Sequence, residues 1–298
     1  MESRVNQSGT KQQKLKQAQK AYHSDRSKEV FFHVGLAKTG TTYLQHNFFP
    51  KLKGIQYIQR TKYRDLKYAK IIERTNHEKY LISNEFDRQL KQELENIASV
   101  YPDAKIIIVL RRHHSWIASQ YRRRIKNGYS FTFKEFIDLE NDQGFWKQKD
   151  LYFYPMLEMI ERTFKSKPLV LFYDDLRNNP YQFLDKLAGF LGATYDKNSI
   201  NLSSKHKSFN DKQLKVIRTF SRLLFKQDFE YSKKYWVSKI QRLLRMIPRY
   251  FILYTSLLAP RFLVDKSPLI SEEELEKVRA YYDKDWKKCL DFASAPQK

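Results

Sequence analysis

Short apolar runs alternate with longer amphipathic or polar stretches along the first two thirds of the chain. Val30-Phe31-Phe32-His33-Val34 reads as a strand that ends at a glycine-bearing turn. Ile55–Ile58, Tyr80–Ile82, Lys105–Leu110 and Leu169–Phe172 repeat the pattern. Lys105–Leu110 is the clearest of these. It is short, β-branched and followed at once by charge, as expected of a strand buried on both faces of a parallel sheet. Between the strands, the spacing predicts helices over Thr42–Phe49 (stopped at Pro50), Phe86–Val100, Ser115–Lys126 and Pro180–Leu191, the last closed by Gly192. Strands alternating with helices predict an α/β fold with an open, three-layer parallel sheet.

The pattern changes after Lys205. Between Lys205 and Phe262 there are 14 Lys/Arg against three Asp/Glu. Trp236, Ile240, Leu243, Leu244 and Ile247 form a helical apolar stripe, with Lys239, Arg242 and Arg245 broadening a basic side and Pro248 expected to interrupt it. A terminal helix is predicted over Glu272–Asp291, with Ser271 as cap and Glu274 in the capping-box position. Residues 1–28 read as a polar, disordered tail. Residues 29–298 are expected to form one domain, in which about 210–268 is a basic helical accessory segment, a lid or a membrane-contact element.

Charge and cysteine usage narrow the classes. The 298 residues carry 56 Lys/Arg and 33 Asp/Glu, a formal +23, so an anionic partner is expected: a nucleotide, an acidic glycan, an anionic lipid surface or a nucleic acid. One cysteine, Cys289, excludes an intrachain disulfide and a cysteine-rich zinc site. No apolar run is long enough for a membrane span, and the first residues lack a signal-peptide core. The expected location is the cytoplasm, peripheral at the inner membrane surface.

Candidate chemistry sits in Gly35-Leu36-Ala37-Lys38-Thr39-Gly40-Thr41-Thr42. The outer glycine spacing is that of a phosphate-binding loop, yet the lysine lies inside it at Lys38, and Thr41 stands where an ATPase carries its lysine. Glycines let backbone N–H groups close around an anion. Lys38 can neutralise charge on a departing phosphate oxygen, and Thr39, Thr41 and Thr42 can donate hydroxyl hydrogen bonds. Asp174-Asp175 invites a metal reading, but no His/Asp/Glu spacing completes one, so no metal is expected.

Phe32–Gln45 resembles the 5′-phosphosulfate loop of sulfotransferases that use 3′-phosphoadenosine 5′-phosphosulfate (PAPS). Ile107–Ser119 resembles that family's second phosphate segment. Leu171–Leu176 with Asn179-Pro180 and Phe190–Gly192 resembles a later strand–loop–helix of bacterial and carbohydrate sulfotransferases, and Tyr281–Trp286 their terminal helix. The resemblance implies a P-loop-like fold and PAPS as sulfuryl donor. It places Gly35, Ala37, Lys38, Thr39, Gly40, Thr41 and Thr42 at the donor's 5′ end and Arg111 and Ser119 at its 3′-phosphate, with Lys205 and Lys207 as further nucleotide contacts. Arg112-His113 departs from the Asn-Pro or Asp-Pro that often follows the family's arginine.

Sulfuryl transfer needs a base for the acceptor hydroxyl. Glu85, just past the Tyr80–Ser83 strand, is the first candidate, and His46, one helical turn beyond Thr42, is the second. The acceptor class implied is a hydroxyl of a carbohydrate or glycolipid, with peripheral contact to an anionic membrane and no specific nucleic-acid partner. Two other classes stay open: an ATP-dependent small-molecule kinase, and a non-enzymatic nucleic-acid-binding protein exploiting the positive charge.

Overall fold

The computed structural model describes residues 13, 15, 18, 19, 27–63, 66–202, 209–225, 229–232, 234–258 and 266–296. The expected polar tail, Lys205 and Lys207 fall almost wholly outside these residues. All five predicted strands form: β1 (Glu29–His33), β2 (Gln56–Ile58), β3 (Lys79–Ser83), β4 (Lys105–Leu110) and β5 (Leu169–Phe172). They pair in parallel in the order β2-β3-β1-β4-β5, an open α/β sheet flanked by helices. The helices are α1 (Thr41–Tyr43), α2 (Lys67–Arg74), α3 (Leu90–Val100), α4 (His113–Lys126), α5 (Phe133–Phe136), α6 (Tyr154–Phe164), α7 (Tyr173–Asn178), α8 (Pro180–Leu191), α9 (Asp211–Leu224), α10 (Tyr235–Thr255), α11 (Glu272–Tyr281) and α12 (Asp283–Ser294).

The chain divides into two compact units: Met1–Arg111 with Tyr152–Ser204 and Asp285–Lys298, and Arg112–Leu151 with Lys205–Lys284. The first holds the sheet. Alternation along β1 sends Phe31 to one face and Phe32 to the other. Phe31 joins Leu81, Ile107 and Leu171 against Phe183, Leu184 and Leu187 of α8, a continuous buried cluster. Phe32 packs edge-on against Tyr68 of α2, at 5.5 Å, and near Tyr101, at 5.9 Å. These two faces make the three layers. In the same unit the buried Asp285 carboxylate accepts from the Phe153 and Tyr154 N–H groups at 2.8 and 3.1 Å, satisfying the N-terminus of α6.

The second unit is helical and aromatic. Trp116 on α4 meets Trp146 edge-on at 5.2 Å, and Tyr121 packs against Phe133 and Phe136 of α5. Gln213 of α9 donates to the Leu253 carbonyl of α10 at 2.9 Å, and both residues are buried.

Boundaries differ from expectation where tertiary contacts decide them. Pro248 does not interrupt the basic helix, because α10 runs through it to Thr255. Proline cannot donate to the preceding turn. There the Arg249 side chain turns back and donates to the Arg245 carbonyl at 2.7 Å, next to the Leu244 carbonyl that a proline at 248 cannot serve as donor. The terminal helix is two, α11 and α12. The chain bends at Tyr282, whose ring stacks on His113 at 4.8 Å while its hydroxyl donates to the Gln148 carbonyl. The Ser271–Glu274 capping box forms as expected. The helix expected from Phe86 begins at Leu90, and α2 and α6 are found where no helix was predicted.

Candidate active site

β1 lies between β3 and β4, so the chain leaves its carboxyl end where an open parallel sheet forms a crevice. The Val34 N–H donates to the Ile107 carbonyl at 3.0 Å, holding the chain to β4 as it enters the loop. The loop then turns twice through left-handed backbone, at Lys38 (φ 72°) and Gly40 (φ 88°). Glycine suits such a turn; lysine adopts it at a cost, and its side chain is exposed. The buried Thr39 and Thr41 hydroxyls both donate to the Leu36 carbonyl, at 2.6 and 3.3 Å, so they brace the loop from within. Thr42 is exposed in the first turn of α1. Gly40 is the N-cap of α1 and offers no capping side chain, which directs the positive end of the helix at the loop.

Beneath the loop lies a buried polar network. His33 Nδ1 and the Ser83 hydroxyl are 2.8 Å apart, and the Gln45 amide donates to the same hydroxyl at 2.9 Å. His33 Nε2 is buried without a partner. Burial lowers the His33 pKa from 6.5 to about 3, so the ring is neutral. A Cβ on Gly35 would stand 2.6 Å from Nε2, which is why the chain carries glycine there. Gln45 and His46 lie in a widened π-type turn, Leu44–Phe48, that follows α1. That turn buries Gln45 against Ser83 and leaves His46 exposed.

Glu85 is held beside the loop by its neighbours. The Asn84 N–H donates to the His33 carbonyl at 3.0 Å and the Phe86 N–H to the Gly35 carbonyl at 3.4 Å. The Glu85 side chain is 19% exposed and pairs with Arg60 at 3.7 Å. Two residues on, the Asp87 carboxylate accepts from the Ala37 N–H at 3.1 Å. The Ala37 amide, expected at the donor's 5′ end, thus meets an acid of the same chain.

Arg111 follows β4 and reaches the same loop. Its Nη1 donates to the Lys38 carbonyl at 3.2 Å, and its guanidinium lies 4.6 Å from the Tyr173 ring centre. Burial lowers its pKa, opposed by Tyr173 and Asp174. A guanidinium stays charged through such a shift. Ser119 is half-buried on α4 of the second unit. Cys289 is buried beside Asp285, and its pKa is raised by burial, so it stays a thiol. Among the described residues no group of three or more His, Cys, Asp or Glu is arranged to hold a metal ion.

Glu85, Lys38 and Arg111 therefore meet one loop, while His46 stands on the exposed side of the helix that follows it. The sequence did not single out Asp87, Ser83, Gln45, Arg60 or Tyr173. For Asp87 a signal existed, since an acid two residues past Glu85 lies just after the strand that pairs with β1.

A family model described as "Sulfotransferase domain" matches residues 28–239. A solved sulfotransferase from Alicyclobacillus acidocaldarius is similar at 14% identity, over 79% of this chain and 98% of that one, with a TM-score of 0.46. A mouse sulfotransferase complexed with PAP is similar at 15% identity, over 63% of this chain and 66% of that one, with a TM-score of 0.36. No curated protein matches the chain.

Proposed function

The chain belongs to the sulfotransferase domain family, a PAPS-dependent class of enzyme, and from that premise we propose that Gly35–Thr42 and Arg111 hold PAPS while Glu85 activates a carbohydrate or glycolipid hydroxyl. The donor supplies a sulfuryl group whose S–O bond to the 5′-phosphate breaks as the acceptor oxygen bonds to sulfur. 3′-Phosphoadenosine 5′-phosphate (PAP) leaves.

In this reading the loop backbone and the α1 N-terminus cradle the 5′-phosphosulfate. Lys38, exposed at the left-handed turn, neutralises charge on the phosphate oxygen that departs. Arg111, with its guanidinium 4.6 Å over the Tyr173 ring, offers a planar fork of N–H donors to the 3′-phosphate. Glu85 takes the acceptor proton, and Arg60, 3.7 Å away, steadies its carboxylate before the acceptor arrives. Asp87 keeps the Ala37 amide and the loop in place when no anion is bound.

The observation that carries the reading is the convergence of two phosphate segments from adjacent strands, with Arg111 on the Lys38 carbonyl. The acceptor class rests on less: the 14 Lys/Arg against three Asp/Glu between Lys205 and Phe262, which complement an acidic glycan or glycolipid. Labelled-sulfate transfer from PAPS across a panel of glycans and glycolipids tests both parts. Lys38→Ala and Glu85→Gln should each lose about 100-fold or more in kcat. Undiminished turnover in both would sink the assigned roles. Mg²⁺-dependent phosphoryl transfer from ATP, unprotected by PAP, would replace the reading with a kinase.

A further inference from the structure

We propose that α10 docks the protein on an anionic lipid bilayer, lying in the plane of the interface. The proposal stands independently of the sulfuryl-transfer reading, because it rests on how this helix is oriented within its own unit. A helix on a soluble protein turns its apolar stripe inward and its charges out. α10 does the reverse. Trp236, Ile240, Leu243, Leu244, Ile247 and Phe251 recur at three- and four-residue spacing and are 49–68% exposed. The other side carries Arg242, Arg245 and Arg249, and these stay with the protein. Arg242 lies 4.5 Å from the Tyr231 ring, Arg245 4.5 Å from Phe229, and Arg249 donates to the Asn127 carbonyl. Leu253 is fully buried and accepts the Gln213 bond, which fixes the helix's rotation.

The outward stripe is a contiguous apolar surface of the kind that marks an interaction site. Its chemistry selects the partner. α10 contains four cationic residues and no acidic one. Exposed Lys234 and Lys239 flank the stripe, and Lys239 sits 5.2 Å from the Trp236 ring. Tyr235, Trp236 and Tyr254 add amphipathic rings near its two ends, which favour the headgroup level of a membrane. A second copy of this chain would bring two cationic rims together, whereas anionic headgroups complement the rim. No described helix is long and apolar enough to cross a membrane; a helix with one apolar face and cationic flanks suits the plane of the interface.

The tryptophans supply the assay. Trp116, Trp146 and Trp286 are 1%, 3% and 6% exposed and Trp236 is 68% exposed, so a change in emission on vesicle addition reports on Trp236. The full-length protein is mixed with phosphatidylcholine vesicles, with and without roughly 30 mol% phosphatidylglycerol, and followed by flotation and fluorescence. Flotation with the anionic vesicles and a blue shift in emission are expected, both weakening as ionic strength rises from about 0.1 to about 0.5 M. Ile240→Ser/Leu244→Ser/Ile247→Ser, at exposed positions, should lose at least about tenfold in vesicle affinity while keeping the wild-type melting curve. Should that variant fail to fold, Lys234→Glu/Lys239→Glu provides the second reading. It leaves the stripe intact and should lose about fivefold or more per residue. Absence of flotation with anionic vesicles would overturn the proposal, as would undiminished binding by a folded variant. So would a dimer that dissociates in the Ser variant without any lipid binding, since a second copy would then be the partner.

Discussion

Lowering the pH from about 7.5 to about 4.5 charges an exposed histidine in the unfolded chain, but not His33 in the fold. Protonated His33 would have to donate from both ring nitrogens. Its Nδ1 faces a hydroxyl that already accepts from Gln45, and its Nε2 has no partner at all. Burial accordingly lowers its pKa to about 3. The unfolded state binds the extra proton, so stability is full above the unfolded pKa of about 6.5 and falls as pH drops from there toward 3. At pH 4.5 the native ring is still neutral, so the loss is set by the two units below the unfolded value. At about 1.4 kcal/mol each, that is on the order of 3 kcal/mol. Urea unfolding of wild type and His33→Gln at both pH values measures it. The glutamine variant is expected to be less stable at pH 7.5, yet to lose about 3 kcal/mol less on acidification, since all other groups titrate alike in the two proteins. Equal losses in the two proteins would refute the claim that His33 is held neutral beneath the loop.

Other positions give sharper local tests. Gly35→Ala puts a Cβ 2.6 Å from a buried ring, and we expect about 1–3 kcal/mol of lost stability together with weakened PAP binding, read by thermal melting and calorimetry. Asp285→Ala leaves the Phe153 and Tyr154 N–H groups without their acceptor in a buried site and should cost about 2–4 kcal/mol in urea unfolding; Asp285→Asn should cost less. Glu85→Gln should lower kcat by about 100-fold or more while leaving PAP affinity within about twofold, a split that a purely structural role would not give.

The inner strands were legible because they bury both faces and so read as unbroken apolar runs, as Lys105–Leu110 does. Pro180–Leu191 was legible at both ends, through proline at its start and Gly192 (φ 55°) at its close. Pro248 misled because proline's local preference is outweighed here by tertiary anchoring just beyond it, from Arg249 to Asn127 and from Gln213 to Leu253. The break at Tyr282 depends on a stack with His113, which is remote in sequence. At the site, the glycine spacing and Lys38 announced the loop. The hydrogen bonds that hold it did not: Ser83 and Asp87 act from the end of β3, and only strand pairing brings that end beside Gly35. The stripe on α10 was visible as a period, but its outward orientation follows from which side Leu253 anchors.

The central claim is that the loop after β1 and the arginine after β4 together hold a nucleotide with phosphates at both its 5′ and 3′ ends. Calorimetric titration of wild type and Arg111→Ala with PAP and with 5′-AMP tests it most directly. Wild type should bind PAP at least about tenfold more tightly than 5′-AMP, and Arg111→Ala should lose that preference while keeping its 5′-AMP affinity. Equal binding of the two nucleotides by wild type, or an undiminished preference in Arg111→Ala, would contradict it.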